Sequence, residues 1–144
     1  MSLSRHLTRV AAVKALFARE LRRGENGELR EQLADEKEVP MTIENQRPSE
    51  TNLEQIESWL QLAKKKDAEI RERLAVFAPK RPFLEIAPIA RAVLILAFLE
   101  LFFAKEKETP ATVVISEATS IAAEFGDSST PAFIGGVLNA AASG

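Results

Sequence analysis

A chain of 144 residues and 15.9 kDa has the length of one domain, and 46% hydrophobic with 28% charged residues is the mix of a soluble globular protein. The absence of cysteine excludes disulfides, thiolate zinc sites and cysteine nucleophiles, and His6, the single histidine, excludes a histidine-based metal cluster. The formal charge of −2 hides an asymmetry: Arg5, Arg9, Lys14, Arg19, Arg22 and Arg23 face only Glu20 in the first 23 residues, whereas acids dominate residues 24–57. A basic leading segment points to a polyanion, with a solvated helix face as the plain alternative.

The segment before Phe17 is broken by Arg5, Arg9 and Lys14, so it lacks the unbroken apolar core of a secretory signal and is expected to remain in the mature protein. On a helix over residues 4–23, Leu7, Val10, Phe17 and Leu21 share one side and Arg5, Arg9, Arg19 and Arg23 take the other. Lys14 falls on the apolar stripe and Leu16 among the arginines. Either this helix packs on two sides or Lys14 snorkels to water. Gly24 and Gly27 are expected to end it. Residues 24–52, polar and interrupted by Pro40 and Pro48, read as a loop or insertion with at most one short helix near residues 29–34.

A second helical block begins at Thr51, with Glu54 three residues later in capping-box spacing, and runs through Leu53, Ile56, Trp59, Leu60, Ala63, Ile70, Leu74 and Phe77 until Pro79 and Pro82 stop it. Residues 86–103 form the most apolar stretch, but Pro88, Arg91 and Glu100 interrupt it, where a membrane span needs about 20 predominantly apolar residues. It reads as a central buried helix starting at Pro88, with Leu94 and Leu96 in the core. Pro110 opens a further helix closed by Gly126, with Ile115 in the core, and Pro131 opens the last, over residues 132–141. With no period-2 alternation, no βαβ pattern and no repeat, the predicted class is all-α, in a single domain over residues 1–144.

Catalytic constellations are hard to find. Gly135-Gly136 lies in an apolar helical run and reads as a close helix contact, not a phosphate loop. Glu100 and Glu117 lack partners for an acid/base set, and a carboxylate in an apolar segment is more simply part of an ion pair. The chain does not read as an enzyme, and no cofactor or metal is implied.

Three blocks are more specific: SRHLTRVAAVKALF at the start, IAPIARAVLILAFLEL in the middle, and TPATVVISEATSIAAEFGDSSTPAFIGGVLNAA near the end. In order and spacing they resemble the NusB family of transcription antitermination factors. The first is similar to the family's arginine-rich opening that ends in Ala-Leu-aromatic, here Ala15, Leu16 and Phe17. The second resembles the family's R/K-A-V-L…A…E-L helix at Arg91 to Leu94, Ala97, Glu100 and Leu101. The third carries Pro110, Val113, Ile115, Glu117 and Ala118, then Phe125-Gly126, then Phe133 to Leu138 at the family's distances. In places the pattern differs: His6, Leu7 and Thr8 separate Arg5 from Arg9, Ala90 and Gly135 replace a family glutamate and asparagine, and Ser129 and Thr130 occupy the two positions of a family Asp-Ser.

The resemblance implies a compact all-α domain of two small helical bundles, located in the cytoplasm. It also implies pairing with NusE, the small-subunit ribosomal protein, on boxA RNA of ribosomal RNA operons, in support of the elongating RNA polymerase. The residues expected at RNA are Arg5, His6, Arg9, Lys14, Phe17, Ser129, Thr130 and Phe133, with Arg5 and Arg9 one helical turn apart for phosphates. Phe17 and Phe133 serve either base stacking or core packing. Arg91 and Glu100 are the residues expected at the protein partner. A NusB-like protein–protein interaction module with weak or no RNA binding is the alternative, and a homodimer covering the basic face is a further state to test. The front domain of a ribosomal RNA cytosine methyltransferase is the least favoured reading, because no dinucleotide-binding pattern follows.

Overall fold

The structure, a computed structural model, describes residues 3–30, 39–40, 42–104 and 109–144. Six α-helices lie among them: α1 (Arg5–Leu21), α2 (Glu50–Lys65), α3 (Asp67–Phe77), α4 (Pro88–Phe98), α5 (Ala111–Phe125) and α6 (Thr130–Ser143). Helix accounts for 71% of the described residues, about twice the globular average, and no strand is present among them, so the all-α class holds. Helix α1 packs along α4 and against α2; α5 and α6 pack on each other and on α4, and α3 lies against α6. One connected core, including Leu16, Ile56, Ile70, Leu94, Phe98, Ile121 and Ile134, draws residues from all six helices.

Side-chain caps start the first two helices. Ser4 Oγ accepts the Leu7 N–H of α1 at 3.1 Å. The N-cap of α2 is Ser49, not Thr51: Ser49 Oγ accepts from Asn52 N at 3.1 Å and Asn52 Oδ1 accepts from Ser49 N at 2.9 Å. Asn52 Oδ1 also accepts from Leu3 N at 2.8 Å, tying the start of the chain to α2. Leu53, in the first turn of α2, is exposed, against expectation, while Ile56, Trp59, Leu60 and Ala63 are buried.

Helix α1 ends at Leu21 with Arg22 as C-cap, ahead of both glycines expected to stop it. Gly27 does its work in the following turn, at φ +82°, where its carbonyl accepts from Arg23 Nη1 at 2.6 Å. The short helix expected near residues 29–34 falls largely outside the described residues. Farther along the loop, Glu44 and Asn45 take positive φ in a tight turn closed by reciprocal Ile43–Gln46 hydrogen bonds, and Ile43 plugs into the core.

Pro88 occupies the first turn of α4, and every residue from 90 to 98 is buried, which makes α4 the central helix. It runs into a π-helical turn, Leu99–Phe103, that points Glu100 inward. Leu94 and Leu96 are core residues as expected, but Ile115 is only half-buried because Val114 takes the inward position on α5. The Gly135-Gly136 pair is not required by a close helix approach: a Cβ at Gly135 would lie 3.6 Å from Thr119, an ordinary contact, and one at Gly136 would meet nothing.

Candidate nucleic-acid interface

Helix α1 is buried on two sides, and this decides which of its cations reach solvent. The arginine side, with Arg9, Ala12, Leu16, Arg19 and Glu20, faces inward along with Leu7 and Val10. Arg9, expected on the outer face beside Arg5, is 3% exposed. Its Nε donates to both Glu100 carboxylate oxygens at 3.2 and 3.0 Å, and Nη2 donates to Oε1 at 2.8 Å. Burial works against its charge, but these bonds and the Glu100 charge outweigh that and keep its pKa above the ordinary value. Arg9 and Glu100 therefore satisfy each other inside the fold and are not surface groups.

Arg91 is likewise an interior residue, contrary to its expected place at a partner surface. Its Nε donates to Glu20 Oε1 at 2.8 Å and its Nη1 to the Ile86 carbonyl at 2.8 Å. Glu20, its carboxylate fully buried, also accepts from Arg23 Nε at 2.7 Å. Arg23 in turn reaches Asp67 at the start of α3, and these carboxylates overcome the cost of burial to raise its pKa.

The remaining predicted residues reach the surface in varying degree. Arg5 is exposed, with Nη2 3.4 Å from Thr109 Oγ1. His6 is half-buried, its Nδ1 2.6 Å from Glu117 Oε2 and its Nε2 3.9 Å from Glu124. Lys14 reaches water, which resolves its place on the apolar stripe, and its ammonium stands 5.4 Å from the Phe125 ring centroid. His6 and Lys14 thus border α5, while Arg5 stands at the start of α1 beside Thr109. Phe17 and Phe133 are half-buried against the core, and the Arg81 guanidinium covers Phe133 at 4.8 Å.

At the α5–α6 junction, Asp127 Oδ1 accepts from Ser129 N at 2.9 Å, Ser129 Oγ at 2.7 Å, Thr130 N at 3.1 Å and Thr130 Oγ1 at 3.0 Å. The bond from the Ser129 hydroxyl leads the effects that hold the Asp127 carboxyl below the usual range. Ser129 is exposed, but Thr130 is buried and corrects its expected place at RNA: its hydroxyl is committed to this junction. Sequence reasoning missed Phe125 and Asp127 as members of this surface. The signal for Asp127 was its Asx-turn spacing to Ser129.

Comparison with known proteins decides the relationship. The profile of the NusB family matches residues 6–143. The chain belongs to the NusB family. The transcription antitermination protein NusB of Campylobacter curvus is 31% identical over 137 residues, 95% of each chain. That of Shewanella sediminis is 39% identical over 74 residues, 51% of this chain and 53% of the relative. The solved T. maritima NusB superposes with a TM-score of 0.80 at 26% identity, covering 99% of this chain and 93% of that one. As a NusB-family antitermination factor, the chain leaves Arg5, His6 and Lys14 at least partly exposed on α1 and turns Arg9, Arg91 and Glu100 inward. Among the described residues, no helix is long and apolar enough to cross a membrane, and no group of three or more His, Asp or Glu suits a metal ion.

Proposed function

We propose that this NusB-family protein binds boxA-type RNA of ribosomal RNA operons in partnership with NusE, and so supports antitermination by the elongating polymerase. The observation that carries the reading is that Arg5 and Lys14 stand exposed and His6 half-buried on α1, in a chain whose relatives are antitermination proteins. Arg5 and Lys14 supply phosphate contacts, while ring edges at Phe17 and Phe133 offer surfaces to unstacked bases.

The interaction-module alternative is favoured by one observation: burial of Arg9 leaves Arg5 and Lys14 as the exposed cations among these residues, and His6 faces Glu117 and Glu124. Copurification with NusE, with and without boxA RNA, separates the readings. The RNA reading expects a ternary complex that is tighter than either pair. A NusE complex indifferent to RNA supports the module, and no NusE complex contradicts both.

A further inference from the structure

Arg5 belongs to two surfaces. Besides the exposed surface of α1, it lines a cleft of about 730 Å³ between the start of α1, helix α2 and the end of the π turn. Trp59, only 8% exposed, and Leu62 form apolar wall, while the half-buried Phe103 ring stands at the cleft with Lys66 Nζ 5.5 Å from its centroid. Exposed Lys65 and the side-chain amides of Gln55 and Gln61 complete the polar part.

The charge balance of this cleft is one-sided. Arg5, Lys65 and Lys66 are its cations among the described residues, and Glu100, the carboxylate in its lining, is already neutralised by Arg9. Lys66 lies 3.3 Å from Glu69, but both groups are open to water, where such a pair is weak and easily exchanged. Lysines at the end of α2 also suit the helix dipole, which explains their position on the helix but not an aromatic-walled cleft beside them. Cations, an aromatic ring and adaptable amides in one groove are the means by which proteins hold single-stranded nucleic acid without reading a strict sequence.

We infer that this cleft is a second RNA subsite, taking nucleotides that flank the segment bound along α1, with Arg5 as the shared phosphate contact. The inference rests on the RNA reading above and extends it. Continuity through Arg5 selects the same RNA strand over an unrelated acidic partner, and a cleft of this size admits a single strand, not a duplex. The two lysines then act on phosphates, so they strengthen binding of a longer RNA without choosing its sequence.

The test compares a boxA-length RNA with the same RNA extended by about six nucleotides at either end, each bound to the complex with NusE at several salt concentrations. For the parent, one of the extensions should raise affinity about fivefold. Lys65→Ala/Lys66→Ala, with an unchanged circular dichroism spectrum, should abolish that gain and flatten the salt slope on the longer RNA by about one to one and a half units, leaving the short RNA within about twofold. Arg5→Ala should weaken both lengths. A gain that survives in the lysine variant, or extensions that add nothing, overturns the subsite while leaving the α1 interface intact. A lysine-dependent affinity for polyglutamate that replaces the RNA gain assigns the cleft to an acidic protein instead. Failure of the parent to bind either RNA removes the RNA reading and the subsite together.

Discussion

Arg9 shows how one side chain changes meaning when its surroundings are known. It pairs in bidentate fashion with Glu100, and both side chains are nearly sealed from water. Removing one partner of such a pair leaves a buried charge behind, which typically costs about 3–5 kcal/mol. Arg9→Ala is therefore expected to lower the thermal midpoint sharply, whereas Arg5→Ala, at an exposed site, should stay within about 0.5 kcal/mol of the parent. Equal melting curves for the two variants would contradict this assignment. A helical wheel put both arginines on the outer face because it measures angle from the stripe of Leu7 and Val10 alone. The clue lay in the exception: Leu16, seven residues from Arg9, shares its face and is fully buried. Glu100 is 91 positions away, and no local pattern brings it to Arg9.

Arg19 makes the complementary prediction. It is 7% exposed, burial depresses its pKa, and its Nε and Nη1 have no hydrogen-bond partner while Nη2 donates to Glu20 at 3.1 Å. Glu20 remains bonded to Arg23 and Arg91 if Arg19 is replaced. Arg19→Met keeps most of the apolar stem and removes an undercompensated charge, so it is expected to raise stability by about 1 kcal/mol, measured by denaturant unfolding. A loss of stability would show that the charge is compensated.

At the scale of elements, helix ends carry the most specific information. Proline and glycine signals at Pro88, Pro110 and Gly126 placed α4 and α5 correctly, because these residues act through their own backbone. Caps made by side chains were harder to read: Thr51 and Glu54 have capping-box spacing, but Ser49 and Asn52 form the cap, and Asn52 is held there by Leu3, 49 residues away. Asn52→Ala should cost about 1–2 kcal/mol in thermal unfolding, against a near-neutral Thr51→Ala. The Asp127 cap gives α6 a pH response. Its folded carboxyl holds its proton less tightly than the unfolded one, so its contribution is complete above about pH 4 and is lost as pH falls through the lower folded value. Asp127→Asn should retain a cap while flattening the acid limb of stability, read by circular dichroism; an unchanged acid limb would assign that loss to other carboxylates.

For the whole molecule, the pairings Arg9–Glu100 and Glu20–Arg91 make α1 and α4 antiparallel and sit at opposite ends of their contact. Both segments read arginine then glutamate along the chain, Arg9 then Glu20 on α1 and Arg91 on α4 then Glu100 on the π turn, so antiparallel packing brings unlike charges together at each end. A slip of α1 along α4, or a reversal of its direction, breaks both pairs, so they set register as well as filling the core. The fold was legible because three sequence blocks and a long apolar helix agree with one another. The interface was legible only in part, because exposure depends on which helix faces find partners. With Arg9 buried, the phosphate contacts proposed above fall to Arg5 and Lys14.

The salt dependence of boxA RNA binding by the complex with NusE, measured for the parent and for Arg5→Ala/Lys14→Ala, tests this account most directly. The account predicts that parental affinity falls as salt rises, and that the double variant binds about tenfold more weakly with a salt slope flatter by about one to two units and an unchanged melting temperature. Parental binding that ignores salt, or a double variant that binds as tightly as the parent, would contradict it.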